Sequence, residues 1–203
     1  MADSKISALT ALTGANVEHL ADSLPIEDNS VTTTKKILIS ELAKALKVHG
    51  TEQASTSGTE VDFTGIPAWV KRITVLFKGV STSGTSPVLI QLGDAGGFEN
   101  SGYLGTSTNF SASAIVTANF TTGFGIRAGL GAGSTRHGAI VLTMEDASDF
   151  TWVASGNVGC SDDTTASITA GSKALSAALT QVRITTVNGS DTFDAGAINI
   201  LYE

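Results

Sequence analysis

Cysteine, proline and charge are all scarce in this chain, and each scarcity removes a class of structure. A single cysteine, Cys160, rules out an intrachain disulfide and suits a protein folded in a reducing compartment. Only 3 prolines stand against 22 glycines, so turns are expected to rely on glycine at positive φ. Charged residues make up 15% of the chain, below the roughly 25% usual for soluble domains. The net charge is −7, and no basic stripe exists to follow a phosphate backbone, so no nucleic-acid partner is expected. The basic pairs Lys35-Lys36 and Lys71-Arg72 read as solvated strand edges. No stretch of 18 apolar residues occurs, so no membrane-spanning helix is expected. Met1 to Lys5 leads into no apolar core of a leader peptide, and no secretory signal is expected.

What remains is 41% hydrophobic, enough for a core, set among Gly, Ser, Thr and Ala. Small polar β-formers in place of Lys and Glu suit strands and turns rather than surface helices. Three regions follow. Residues 1–50 read as a small α+β segment. Ile6, Leu9 and Leu12 fit either a helical turn or an extended arm, and Leu24-Pro25-Ile26 and Val31 to Ile39 read as strands. Ser40 caps a short helix that carries Leu42, Ala45 and Leu46 and ends near Gly50. A unit this small needs a partner for its apolar face, which makes Ile6, Leu9, Leu12, Leu42 and Leu46 candidate docking residues. Residues 51–60, TEQASTSGTE, read as a polar linker.

Residues 61–203 read as one antiparallel β-sandwich, jelly-roll-like, of short strands punctuated by turns. Ile73, Val75 and Phe77 share one face of a strand over Val70 to Val80, and Leu76 interrupts its polar face. Val88, Ile90 and Leu92 make the next apolar face. Further strands are predicted at Val61 to Phe63, Tyr103-Leu104, Ala114 to Ala118, Gly138 to Met144, Thr151 to Ala154, Gln181 to Val187 and Ala197 to Tyr202. Asp94 to Gly97 and Asn188 to Asp191 read as turns.

Catalytic patterns are weak. His19, His49 and His137 stand apart from Cys160, with no metal-ligand spacing, and no G-x-S-x-G elbow is present. Glu145, Asp146 and Asp149, and the pair Asp162-Asp163, read as turn residues; neither group has EF-hand spacing. Gly123 to Gly133 contains a G-x-G-x-x-A match but no helix after it, and so reads as a loop or a tightly packed strand. No enzyme, metal or cofactor is expected. Aromatic faces can stack on sugar rings, and Trp69 and Trp152, with Tyr103 and Phe98, are the candidates for a glycan platform; the alternative for each is core packing.

Two segments carry a resemblance. Ile6-Ser7-Ala8-Leu9, Leu24-Pro25-Ile26, Thr34-Lys35-Lys36-Ile37 and Ser40-Glu41-Leu42 are similar, in order, to a segment near the start of tailed-bacteriophage tail-fibre and other virion-surface proteins. Phe63 to Asp94 and Val182 to Glu203 together resemble a β domain at the C-terminal end of such proteins. Residues 96–181 match no motif. The resemblance implies a homotrimer assembled in the host bacterial cytoplasm, docked to a major capsid or tail protein through residues 1–48 and displaying its β domain. No shaft repeat is present, which favours a capsid-decoration or head-fibre protein over a tail fibre. A receptor-binding tail fibre or a carbohydrate-binding module, engaging a host surface glycan, is the alternative reading.

Overall fold

The structure, a computed structural model, describes residues 23–27, 34–38 and 47–203. The chain divides into two compact units, residues 1–48 and 49–203. In the first, β1 (Ser23–Glu27) and β2 (Thr34–Leu38) pair antiparallel, from Ser23 opposite Leu38 to Glu27 opposite Thr34. Ile6, Leu9, Leu12, Leu42 and Leu46 lie outside the described residues. Val48–His49, where the expected helix was to end, form a strand, β3; the rest of that expected helix lies outside the described residues.

The second unit is all β among the described residues. Its strands are β4 (Gln53–Ala54), β5 (Val61–Thr64), β6 (Arg72–Thr82), β7 (Val88–Asp94), β8 (Gly97–Phe98), β9 (Leu104–Ser111), β10 (Ile115–Phe120), β11 (Phe124–Ile126), β12 (Arg136–Asp146), β13 (Thr151–Cys160), β14 (Thr165–Ala174), β15 (Gln181–Thr186) and β16 (Phe193–Tyr202). Among the described residues they form two antiparallel sheets. One has nine strands, ordered β10-β9-β14-β13-β12-β6-β16-β3, with β4 also on β16. The other has five, ordered β11-β7-β15-β5, with β8 on β7. The mainly β, two-sheet architecture is the one the strand alternation predicts.

The core lies between the sheets. Ile73, Val75 and Phe77 of β6 point inward, as their alternation requires, and meet Val88, Ile90 and Leu92 of β7 in one buried cluster. After Phe77 the inward set resumes at Val80, three residues on. The extra residue is Gly79, at φ 67°, and the pairing with β12 skips from Lys78 to Val80 across it. Opposite it on β16 sits Gly196, at φ 89°, whose absent side chain lets its backbone lie against the carbonyl of Gly79. This double-glycine bulge re-phases the strand so that Val80 and Thr82 are also buried.

The 51–60 stretch departs from a free linker. Gln53–Ala54 adds to the edge of β16, Gly50 N–H donates to Ile200 O (2.7 Å), and buried Ser55 donates to Ala195 O (2.8 Å). The C-terminal strand is held on both sides as a result, with Ile198 and Ile200 buried.

Candidate functional site

Turn chemistry absorbs the acidic groups first. Asp146 accepts from the Ser148 N–H and hydroxyl (both 2.7 Å), and Asp149 accepts from the Thr151 N–H (3.0 Å). Asp162 accepts from the Thr135 N–H (2.8 Å) and hydroxyl (2.6 Å), and these bonds hold its carboxyl below the usual range. The Asp146 and Asp149 contacts are Asx-type turns, whereas Asp162 bridges to Thr135, which lies 27 residues away in sequence. No group of three or more His, Cys, Asp or Glu side chains is placed to hold a metal among the described residues.

His137 is the second residue of β12, and its ring makes two contacts. Nδ1 accepts the Gly79 N–H (3.2 Å), and Nε2 faces Ser161 Oγ (3.2 Å). An Nδ1 lone pair committed to a backbone donor puts the proton of the neutral ring on Nε2. That nitrogen then donates to Ser161 and cannot take its proton, so the pair lacks the tautomer a serine nucleophile requires. Its geometry ties β6 to β12 beside the bulge. Neighbouring Cys160 is half-buried, and burial raises its thiol pKa, which disfavours the reactive thiolate.

The Gly-rich stretch has a structural role that its motif does not suggest. Residues 127–135 wrap the fully buried Arg136. Its guanidinium donates to the carbonyls of Ala128 (2.9 Å), Ser134 (3.3 Å) and Gly129, and reaches Thr82 Oγ1 (3.5 Å). Burial pulls its pKa down, while Cys160, Asp194 and Asp162 oppose that from farther off. A cation held by carbonyls organises the loop as a spoke organises a rim.

The aromatics divide sharply. Trp152 is fully buried in the core. It cannot face a glycan, and its place in the candidate platform is corrected: the alternation of β13 puts it on the same side as Ala154 and Val158, toward the second sheet. Tyr103 is also buried, set edge-on to Phe124 (5.1 Å between centroids), with its hydroxyl accepting the Leu92 N–H (2.7 Å). Phe98 is half-buried and has the Arg183 guanidinium over its ring at 4.1 Å. Trp69 alone stays at the surface, 46% exposed, tilted at 52° to Tyr202 with centroids 6.1 Å apart.

No protein-family model matches this chain, and neither the curated proteins nor the solved structures yield a match. Its surfaces must therefore be read on their own terms.

Close to Trp69, through Tyr202, lies a crevice of about 340 Å³ lined by His49, Gln53, Asp62, Thr64, Ile200 and Tyr202. Its floor is fixed: Gln53 Nε2 donates to Asp62 O (2.5 Å), and Arg183 holds the Asp62 carboxylate through two bonds of 2.8 Å. A second ion pair joins β14 of the nine-stranded sheet to the residue after β8. Buried Lys173 pairs with Glu99 and sits 5.6 Å from the Tyr103 ring centre. Burial alone would raise the Glu99 carboxyl, but the bonds from Lys173 and Ser176 outweigh it and hold it below the usual range.

The broadest surface was missed by sequence reasoning. It is the outer face of the nine-stranded sheet. There Leu104 is 76% exposed, Ile115 71% and Ile168 55%, with Phe110 and Val153 also exposed. Its burial pattern inverts the ordinary one. In β14, Ser167 and Thr169 are buried while Ala166, Ile168 and Ala170 are exposed, and β9 likewise buries Ser107 and exposes Leu104 and Phe110.

Proposed function

We propose that this chain is a non-enzymatic structural protein of a bacteriophage particle: a trimeric capsid-decoration or head-fibre protein, docked by residues 1–48 and displaying residues 61–203. The observation that carries the reading is where its two virion-like C-terminal segments fall. Phe63 to Asp94 supplies β6, β7 and half of β5, and Val182 to Glu203 supplies most of β15 and all of β16, some 90 residues away in sequence. They interleave: β15 lies between β5 and β7 in one sheet, and β16 lies on β6 in the other. Two separate stretches of resemblance thus compose one continuous two-layer unit, and the unmatched middle extends it with β9 to β14. Asp146, Asp149, Asp162 and His137 are each engaged in hydrogen bonds within the fold, which supports a structural role for these four residues.

The test is decoration in vitro. The full chain, added to particles assembled without it, should co-sediment with them. Leu9→Asp and Leu42→Asp should abolish that binding. Failure of the intact chain to bind heads or tails overturns the reading.

One observation favours adhesion as an added role: Trp69, exposed beside Tyr202 and near a rigid polar crevice, has the composition of a sugar-stacking corner. A glycan array with Trp69→Ala tests this; binding unchanged by the substitution, or absent throughout, removes it.

A further inference from the structure

Strands β9, β10, β13 and β14 contain a single charged residue, Lys173, and that side chain is buried on the inner side. Their outer face therefore carries no formal charge at all. Cross-strand pairing shows how the exposed apolar groups are distributed over it. Ile115 lies directly opposite Phe110. Ile168 sits between Thr108 and Asn157, and Ser172 sits between Leu104 and Val153. Apolar residues thus recur across four adjacent strands, embedded in small Ala, Ser and Thr side chains that keep the surface flat. An ordinary solvent-facing sheet does the reverse, putting Lys, Glu and Thr outward and its apolar residues inward. Here β9 and β14 turn serine and threonine toward the core and leucine, phenylalanine and isoleucine toward water.

We infer that this face is the contact surface between copies of the chain. The inference rests on the multimeric reading above and goes beyond it by assigning the surface. Three observations select a second copy as the occupant. First is charge. Each chain carries −7, so contact between copies is opposed least where neither presents charge, and the outer face of these four strands presents none. A partner recognised by electrostatic complementarity would call for charged groups here, and there are none. Second is size. The four strands β13, β14, β9 and β10, spaced by about 4.8 Å and about eight residues long at roughly 3.3 Å each, give a footprint of roughly 19 Å by 26 Å. That is about 500 Å² before side-chain relief, of the same order as the roughly 800 Å² each partner contributes to a stable interface. Third is composition. The centre of a subunit interface is depleted of charge and enriched in apolar side chains, and this face already has that composition in the single chain.

The test is mass-resolved light scattering of the full chain and of three variants. Wild type should run as a multiple of the 20.7 kDa chain. Ile168→Lys, at the centre of the face, and Leu104→Lys should each shift the particle to the mass of one chain; Trp69→Ala, outside the face, should leave it unchanged. Both lysine sites are exposed, so thermal unfolding should still show a cooperative transition. Should Ile168→Lys fail to fold, Ile115→Lys on the edge strand β10 makes the same test. A multimer that persists in folded lysine variants overturns the assignment of the face while leaving the multimeric reading in place. A wild-type chain that runs at single-chain mass at all concentrations overturns both, and the face would then belong to a different protein or a carbohydrate.

Discussion

Replacing Arg136 with methionine isolates the energetics of the buried loop. Methionine keeps much of the volume and removes all the donors. The carbonyls of Ala128, Gly129 and Ser134 then lose their partner inside a closed site. A stranded buried acceptor costs about 1–3 kcal/mol, so three of them cost roughly 3–9 kcal/mol if the loop stays in place. Against this stands relief from desolvating a guanidinium, worth several kcal/mol. The geometry decides the balance. The cation has no carboxylate bonded to it, but its fork is well filled, so removing it exposes more unsatisfied polarity than it relieves. A net loss of about 2–4 kcal/mol is expected, a large share of the 5–15 kcal/mol typical of a domain. Urea unfolding followed by the emission of Trp152, buried in the same core, measures it. Hydrogen exchange over residues 127–135 should accelerate in parallel. Arg136→Lys keeps the charge without the planar fork and should fall between the two. A methionine variant within 0.5 kcal/mol of wild type (a bound set by the usual scatter of neutral substitutions), with unchanged exchange in the loop, would refute the reasoning.

Trp152→Ala should cost about 3–5 kcal/mol and Trp69→Ala under about 1 kcal/mol in the same urea assay, because one is core and the other surface. Gly196→Ala combines a strained positive φ with a collision against the Gly79 carbonyl and should cost about 2–5 kcal/mol, seen as a lower urea midpoint. Stability should also fall in acid. Asp94 is held below its ordinary value by the Ser176 hydroxyl and the Gly96 N–H, against an opposing effect of burial, so its contribution is complete above about pH 4 and disappears as pH falls through the depressed folded pKa. Melting temperature measured from pH 7 to pH 2.5 should drop at the acid end, and Asp94→Asn should flatten that drop. Deleting Ile198 to Glu203 removes the strand that pairs with β6 and should leave no soluble folded chain, which expression and sedimentation would check.

Legibility in the sequence tracked contrast between neighbouring residues. Ile73, Val75 and Phe77 against Arg72, Thr74 and Lys78 announce a half-buried strand, and β6 is that strand. Asn188 to Asp191 announces a turn, and Asn188 Oδ1 accepts the N–H groups of Ser190 and Asp191 (both 3.1 Å) to make it. β14 escaped because Thr165 to Ala174 alternates small residues with small residues, leaving no apolar face to read. It is stitched instead by side-chain bonds such as Thr169 Oγ1 to Gly125 O (2.7 Å). β11 hid inside a glycine run whose glycines serve close packing, Gly125 lying against the Phe120 ring. Trp152 and Trp69 could not be separated by composition: each precedes a valine and has an alanine within two residues, and burial in the fold distinguishes them. The outer face was unreadable for the same reason as β14, since its apolar residues lie far apart in sequence and become a surface only when pairing aligns them.

The most direct test of the account is electron microscopy of phage particles labelled with antibody against residues 49–203. The account predicts label distributed over the head. Label confined to the tail would contradict the head placement, and particles bearing no label would contradict the claim that this chain is displayed on a virion.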